Sequence, residues 1–350
     1  MLLQRHRIRI LCYNMMEKGM QAQTVTIVGM GRVGVSIARA LRASEAGLTI
    51  VGHDRIRQLA EEAKEKLGAI DRVEWNLVTA ASVADILVLA VPLAELENTL
   101  MVIGEEVQPH ALVLDLAPLK AQSLRWADKH LKAGHYVGVM PVLAAAYLSD
   151  GRDEPSAATP DLFRGSIFCL LPSAKADPQA VDTAVNFGRL LGASPYFVDP
   201  LEYDSLAQAV ETLPGLAAAA LFGAVQKSAA WRDILRFANP SFAVATQPLV
   251  HGTDITSLAL NDPAATLRWI DALLNELTAI RRIIQEGDRE LIDLTLGGLL
   301  VQRERWLKER EANDWAEVGD SPVDRPTMSE QVLGGWLSGK MKRDKKGGER

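Results

Sequence analysis

The chain has 350 residues and a mass of 38.1 kDa, more than one ordinary core accommodates, so two domains are expected. Its formal net charge of -6 argues against a nucleic-acid partner, which needs a basic face to meet phosphates. Two cysteines, Cys12 and Cys169, make neither a disulfide framework nor a metal site, and this usage suits a reducing cytoplasm.

Residues 1–23 read as an N-terminal extension. Arg5, Arg7 and Arg9 break it up, so it lacks the apolar core of a signal peptide, and Met15, Met16 and Met20 are equally good starts. Residues 24–28 are rich in β-branched side chains, a strand that runs into Gly29. Residues 35–43 place Ile37, Ala40 and Leu41 on one helical face. A second strand, 48–52, ends at His53-Asp54, and 56–67 is an amphipathic helix with Glu61, Glu62, Lys64 and Lys66 outward. Residues 84–91 are almost wholly apolar, as a strand buried on both faces should be, and Pro92 stops it. Residues 111–116 and 135–140 repeat that pattern, each followed by a loop with proline. A polar loop covers 149–160. Strands at 165–171 and 195–198 flank a helix at 177–191. Beyond Asp199 the periodicity is helical, over 206–226, 230–237, 264–285 and 289–310. Alternation of strand and helix through the first half predicts a doubly wound parallel sheet over 24–199, followed by an all-α domain over 200–310. Residues 311–350 form a polar tail with a short apolar piece at 332–337 and a basic end. The longest uncharged apolar stretch, 213–225, is short for a bilayer and holds Pro214 and Gly215, so no membrane span is expected.

Gly29-Met30-Gly31-Arg32-Val33-Gly34 is a GxGxxG pattern that leaves a strand and opens a helix, the context that gives the pattern meaning. Gly29 permits the tight turn, Gly31 lets a diphosphate approach the backbone, and Gly34 brings the helix close to the strand. The helix N-terminus then presents free N–H groups and the positive end of its dipole. Asp54 falls 20 residues after Gly34, at the end of the second strand, where a carboxylate accepts the adenosine ribose hydroxyls. The region reads as a Rossmann domain for a nicotinamide dinucleotide. Asp54 favours NAD, since a carboxylate repels a 2′-phosphate, whereas Arg55 beside it is suited to clamp that phosphate and keeps NADP open. Val91 and Pro92, after the central apolar strand, fall along the nicotinamide side of the cleft. The expected cofactor contacts are therefore Gly29, Met30, Gly31, Arg32, Val33, Gly34, Asp54, Arg55, Val91 and Pro92. No metal is expected.

The segments 29–41, 84–92 and 115–120, then 161–165, Asp204 with Leu213-Pro214, 254–263 and 282–306, come in an order and spacing that resemble the prephenate/arogenate dehydrogenase family over about residues 24–307. The resemblance implies a helical dimerisation domain and NAD(P)-dependent oxidative decarboxylation of prephenate or arogenate, a step towards tyrosine. It also implies a histidine base in Gly-His-Pro, a supporting serine in Asp-x-x-Ser-x-Lys, a second substrate histidine and an arginine for the substrate carboxylate. At those places this chain has Met140, Pro118, Thr212 and Thr253. General-base catalysis contributes typically about 10²–10⁴ in rate, and a thioether cannot supply it. Two weak replacements stand out. Lys120 matches the family lysine, and His251 lies beside the missing arginine's place. The sequence thus supports a dimeric oxidoreductase acting weakly on prephenate or on another small carboxylic acid. Its competitor is a dinucleotide-binding protein without catalysis.

Overall fold

The computed structural model describes residues 23–312. Eight strands form one sheet, ordered β3-β2-β1-β4-β5-β6-β7-β8. Their ranges are β1 Thr24–Val28, β2 Thr49–His53, β3 Arg72–Val73, β4 Ile86–Leu89, β5 Leu112–Asp115, β6 His135–Pro141, β7 Ile167–Pro172 and β8 Ser194–Phe197. The first six run parallel; β7 pairs antiparallel with β6, and β8 runs parallel to β7. Helices α1 Arg32–Ala43, α2 Arg57–Glu65, α3 Leu77–Ser82, α4 Leu93–Ile103, α5 Lys120–His130 and α6 Pro178–Leu190 connect the strands. The arrangement is a doubly wound Rossmann sheet.

Alternation along the strands divides the core in two. Val25, Ile27, Ile86, Val88, Leu112, Leu114, Val137 and Val139 pack into one cluster with α1 and α6. Val28, Leu87, Leu89, Val113 and Tyr136 pack into the other with α4 and α5. Both faces are dry, which is why these strands read as nearly continuous apolar runs. The register sets one row across the sheet: His53, Val28, Leu89, Asp115 and Gly138 are neighbours in turn. The residues that follow them therefore share the carboxyl edge, where ligands of such sheets bind.

Beyond β8 the chain is helical: α7 Pro200–Ala207, a π-helical turn Gln208–Thr212, α8 Leu213–Gln226, α9 Trp231–Phe237, α10 Pro240–Thr246, a 3₁₀ turn Gln247–His251, α11 Gly252–Asn261, α12 Pro263–Glu286 and α13 Arg289–Ala312. The expected boundary near residue 200 falls inside the first compact unit, which runs to Thr266; a second unit begins at Leu267. The reason lies in polar side chains on the first helices. Asp204 of α7 accepts the N–H groups of Lys120 and Ala121 at 2.6 and 3.0 Å and so caps α5. Gln208 donates to Leu258 O of α11 at 2.9 Å. Gly215 of α8 lies so close to Ile255 that a Cβ would approach Cδ1 to 2.4 Å.

Residues 200–226 make a continuous helix of 27 residues, long enough and apolar enough by length and composition to cross a bilayer, twice the length of the uncharged stretch 213–225 within it. Asp204 and Gln208 tie this helix to α5 and α11 within the first unit. The extension up to residue 22, the apolar piece at 332–337 and the basic end at 340–350 lie outside the described residues.

Candidate dinucleotide-binding site

β1 delivers the chain to Gly29, whose φ of 104° is the left-handed region that suits glycine, and a Cβ there would sit 2.2 Å from Ala90 O of the turn after β4. Gly34, in the first turn of α1, packs on that turn: a Cβ would lie 1.9 Å from Gly29 O. Gly31 differs from both. It is the N-cap of α1, it makes no side-chain capping bond, and among the described residues nothing beyond its chain neighbours and its own helix lies within 4 Å of where its Cβ would be. The first turn of α1 holds no acidic side chain. Two glycines thus fit protein against protein, and the third borders open space at a helix N-terminus.

Asp54 follows β2 on the same edge. Its Oδ2 accepts Met30 N–H at 2.7 Å and its Oδ1 accepts Ile56 N–H at 2.7 Å, so both oxygens are held while each keeps further acceptor capacity. Met30 itself is buried, and its side chain belongs to the core, where it approaches Gly52. Val33 is half-buried against the same cluster. Arg55 is 77% exposed, with Nη1 3.0 Å from Glu95 Oε1. Val91 is half-buried and Pro92 is exposed between β4 and α4, where Pro92 is the N-cap. Arg32 is only 5% exposed, and its guanidinium forms a bidentate pair with Asp150 in the loop after β6, with Nη1–Oδ1 at 2.7 Å. The sequence had no signal for that partner, which lies 118 residues away.

The catalytic candidates separate. Lys120 opens α5 and is wholly buried; Nζ donates to Asp115 O at 2.8 Å and lies 3.4 Å from Asp115 Oδ2. Burial pushes the Lys120 ammonium's pKa down, against the pull of Asp115. Gly138 makes room for the lysine, since a Cβ would come to 3.0 Å from its Cδ. Burial pushes the nearby Cys169 thiol up to about 11, so it stays protonated and unreactive. His251 ends the 3₁₀ turn, and its side chain, with those of Thr253 and Asp254, lies outside the described residues. Met140, near the end of β6, and Pro118, in the turn between β5 and α5, are half-buried. Thr212 is 1% exposed, and its hydroxyl has no hydrogen-bond partner among the described residues. The other described histidines are engaged locally: His53 with Glu74 O at 2.8 Å, His110 with Asp85 at 3.1 Å, His130 with Glu97 at 3.1 Å and His135 with Asp177 at 3.6 Å.

Residues 37–196 match the model of the prephenate dehydrogenase nucleotide-binding domain. The prephenate dehydrogenase of Bacillus subtilis (strain 168) is 28% identical over 286 residues, spanning 76% of this chain and 71% of that protein. The crystal structure of prephenate dehydrogenase from A. aeolicus, in complex with hydroxyphenyl propionate and NAD+, superposes with a TM-score of 0.71 at 20% identity, over 83% of this chain and 100% of the other. Synechocystis arogenate dehydrogenase gives 0.62 at 21% identity, over 81% and 100%. The sheet order, the glycine turn packed against Ala90 and these likenesses agree, and residues 37–196 belong to the prephenate dehydrogenase nucleotide-binding domain family.

Proposed function

We propose that this protein is an NAD-dependent oxidoreductase of prephenate dehydrogenase type, acting on a small carboxylic acid. The observation that carries the reading is Gly31: an uncapped helix start facing open space, with Asp54 beside it at the end of β2. That combination fits a dinucleotide. The backbone N–H groups of the first turn of α1 would seat the diphosphate, and the free acceptor positions of Asp54 would take the ribose hydroxyls. A 2′-phosphate would meet the Asp54 carboxylate, so NAD is preferred; Arg55, held towards Glu95, is the residue through which NADP would gain. Arg32 contributes through its backbone, because its side chain is committed to Asp150. Val91 and Pro92, on the same edge, would border the nicotinamide side.

A bound nicotinamide supplies a hydride acceptor. The chain must then remove a proton from the substrate hydroxyl and hold its carboxylate. Lys120 is bonded to Asp115 and serves to position the β5–α5 turn, so we assign it no proton transfer. Met140 and Pro118 offer no base. His251 remains the candidate that this reading leaves for proton removal. Turnover of prephenate is therefore expected to be slow, or to give way to another small carboxylic acid. Residence in the cytoplasm and assembly as a homodimer belong to the same proposal. The half-buried Met140 and Pro118, both unionisable, also favour a second reading, a dinucleotide-binding protein without catalysis.

Two measurements separate these. Absorbance growth from NADH with prephenate, arogenate or another small carboxylic acid supports the first reading, and its complete absence at high protein concentration across such acids refutes it. Calorimetric titration with NAD+ and NADP+ tests what both share: NAD+ is expected to bind more tightly, and no heat with either dinucleotide would remove both readings.

A further inference from the structure

The loop between β6 and β7 is held along one face of α1. Arg39 donates to Ala158 O at 2.6 Å, and Ser36 Oγ accepts Thr159 N–H at 3.1 Å. One turn nearer the glycines, Arg32 holds the tip of the loop. Both Nη atoms reach Asp150, Nη1 also donates to Arg152 O, and the guanidinium lies 5.9 Å from the Tyr147 ring centroid. From the other side, Gln247 donates to Gly151 O. The tip thus spans from the first turn of α1 to the helical segment after α10.

An arginine at the first position of a helix meets the positive end of the dipole and is unfavourable there without an anion. Asp150 supplies that anion. The pairing leaves Arg32 Nε buried without a partner among the described residues, a cost that packing alone gives no reason to keep. Gly31 still borders open space with the pair formed, so the loop, held beside the first turn of α1, leaves the proposed phosphate seat unfilled.

We propose that residues 147–152 form a strap across the dinucleotide site, latched by Arg32 and Asp150, and that the opening of this latch sets the rates at which dinucleotide enters and leaves. The inference rests on the dinucleotide reading above. A strap fixed at both walls obstructs passage in both directions, so weakening the latch changes rates more than equilibrium.

The test is stopped-flow NADH fluorescence on the full chain and on Asp150→Asn, Arg32→Leu and Asp150→Glu. Asn and Leu variants are expected to raise both rate constants about tenfold, as loss of one charge-assisted pair would, with Kd changed less than about threefold. Asp150→Glu restores the charge and is expected to bring the rates most of the way back. Should Arg32→Leu fail to fold, Asp150→Asn, on the more accessible partner, carries the test. Trypsin reads the latch without any dinucleotide. Cleavage after Arg152, followed by mass spectrometry, is expected to accelerate in Asp150→Asn. Unchanged rates in Asp150→Asn with NADH still bound, or unchanged cleavage, would overturn the strap alone. Failure of the unaltered protein to bind NADH would remove the dinucleotide reading with it.

Discussion

At the scale of single residues, the three glycines of one motif do different work, and a methyl group tells them apart. Gly31 has an ordinary φ of -70° and free space at its Cβ direction, so Gly31→Ala should fold normally. It is expected to melt unchanged, or higher through about 0.4–1 kcal/mol of lost unfolded-state entropy, while NAD+ binding weakens at least about tenfold. Gly34→Ala places a Cβ 1.9 Å from a carbonyl oxygen and is expected to destabilise the protein outright. Melting curves and titration of both variants decide this; equal loss of stability in the two would refute the assignment of Gly31 to ligand. Asp150 makes a second residue-scale prediction. Arg32 beside it lowers its carboxyl pKa from 3.8 to about 2. A depressed carboxylate stabilises the folded state above its unfolded pKa and loses that contribution as pH falls. The difference in melting temperature between the unaltered protein and Asp150→Asn should therefore hold steady above pH 3.8 and shrink as pH falls towards about 2. A difference already gone near pH ~5 would contradict the pair.

At the scale of elements, the legible parts were those whose signal is local. β1, β2, β4, β5 and β6 announced themselves because both sheet faces are buried and their residues are mostly apolar. The glycine turn and Asp54 were legible because a fixed geometry dictates their types. Three connecting helices, α3, α4 and α5, were not read. α3 has six residues, too few for a period, although Asn76 caps it by accepting Val78 and Thr79 N–H groups. Pro92 reads as a stop for β4 and is also the N-cap of α4. α5 receives its cap from outside: Asp204 lies 84 residues further on, and no local pattern points to it. β3 has two residues and belongs to the sheet through pairing alone. The same distance explains why the Arg32–Asp150 pair and the extension of the first unit to Thr266 were hidden. Asp204 tests this account. Asp204→Ala leaves two first-turn N–H groups of α5 without an acceptor and should cost about 0.5–2 kcal/mol. Its urea midpoint is expected to fall with the slope unchanged, since the folded state keeps its extent. A midpoint equal to that of the unaltered protein would mean that α7 is not fastened through this cap.

At the scale of the whole molecule, the apolar surface is larger than the described residues cover. In the first unit, Leu201, Val210, Phe237, Val244 and Leu260 are each about two-thirds exposed or more. On α12, Leu267, Leu274, Leu277 and Ile284 are all more than half exposed, and their spacings of seven, three and seven residues put them in one stripe. That spacing is the a/d seam with which one helix packs into another. α13 adds Leu294, Leu296, Leu300 and Val301 at similar exposure. Large aliphatic side chains at such a repeat transfer favourably out of water, each by roughly 1.5–3 kcal/mol when fully buried. A second copy of the chain related by a two-fold axis is the simplest cover, because the stripe is then its own complement. Light scattering should accordingly give about twice the 38.1 kDa chain mass. Leu274→Lys with Leu277→Lys sets two charges into the seam, where a desolvated ammonium without a partner is costly, and should shift the protein towards monomer. The glycine turn lies in the other compact unit, so calorimetry on the same double variant should still register NAD+. A monomeric unaltered protein at micromolar concentration would remove the dimer and leave the stripe without this explanation.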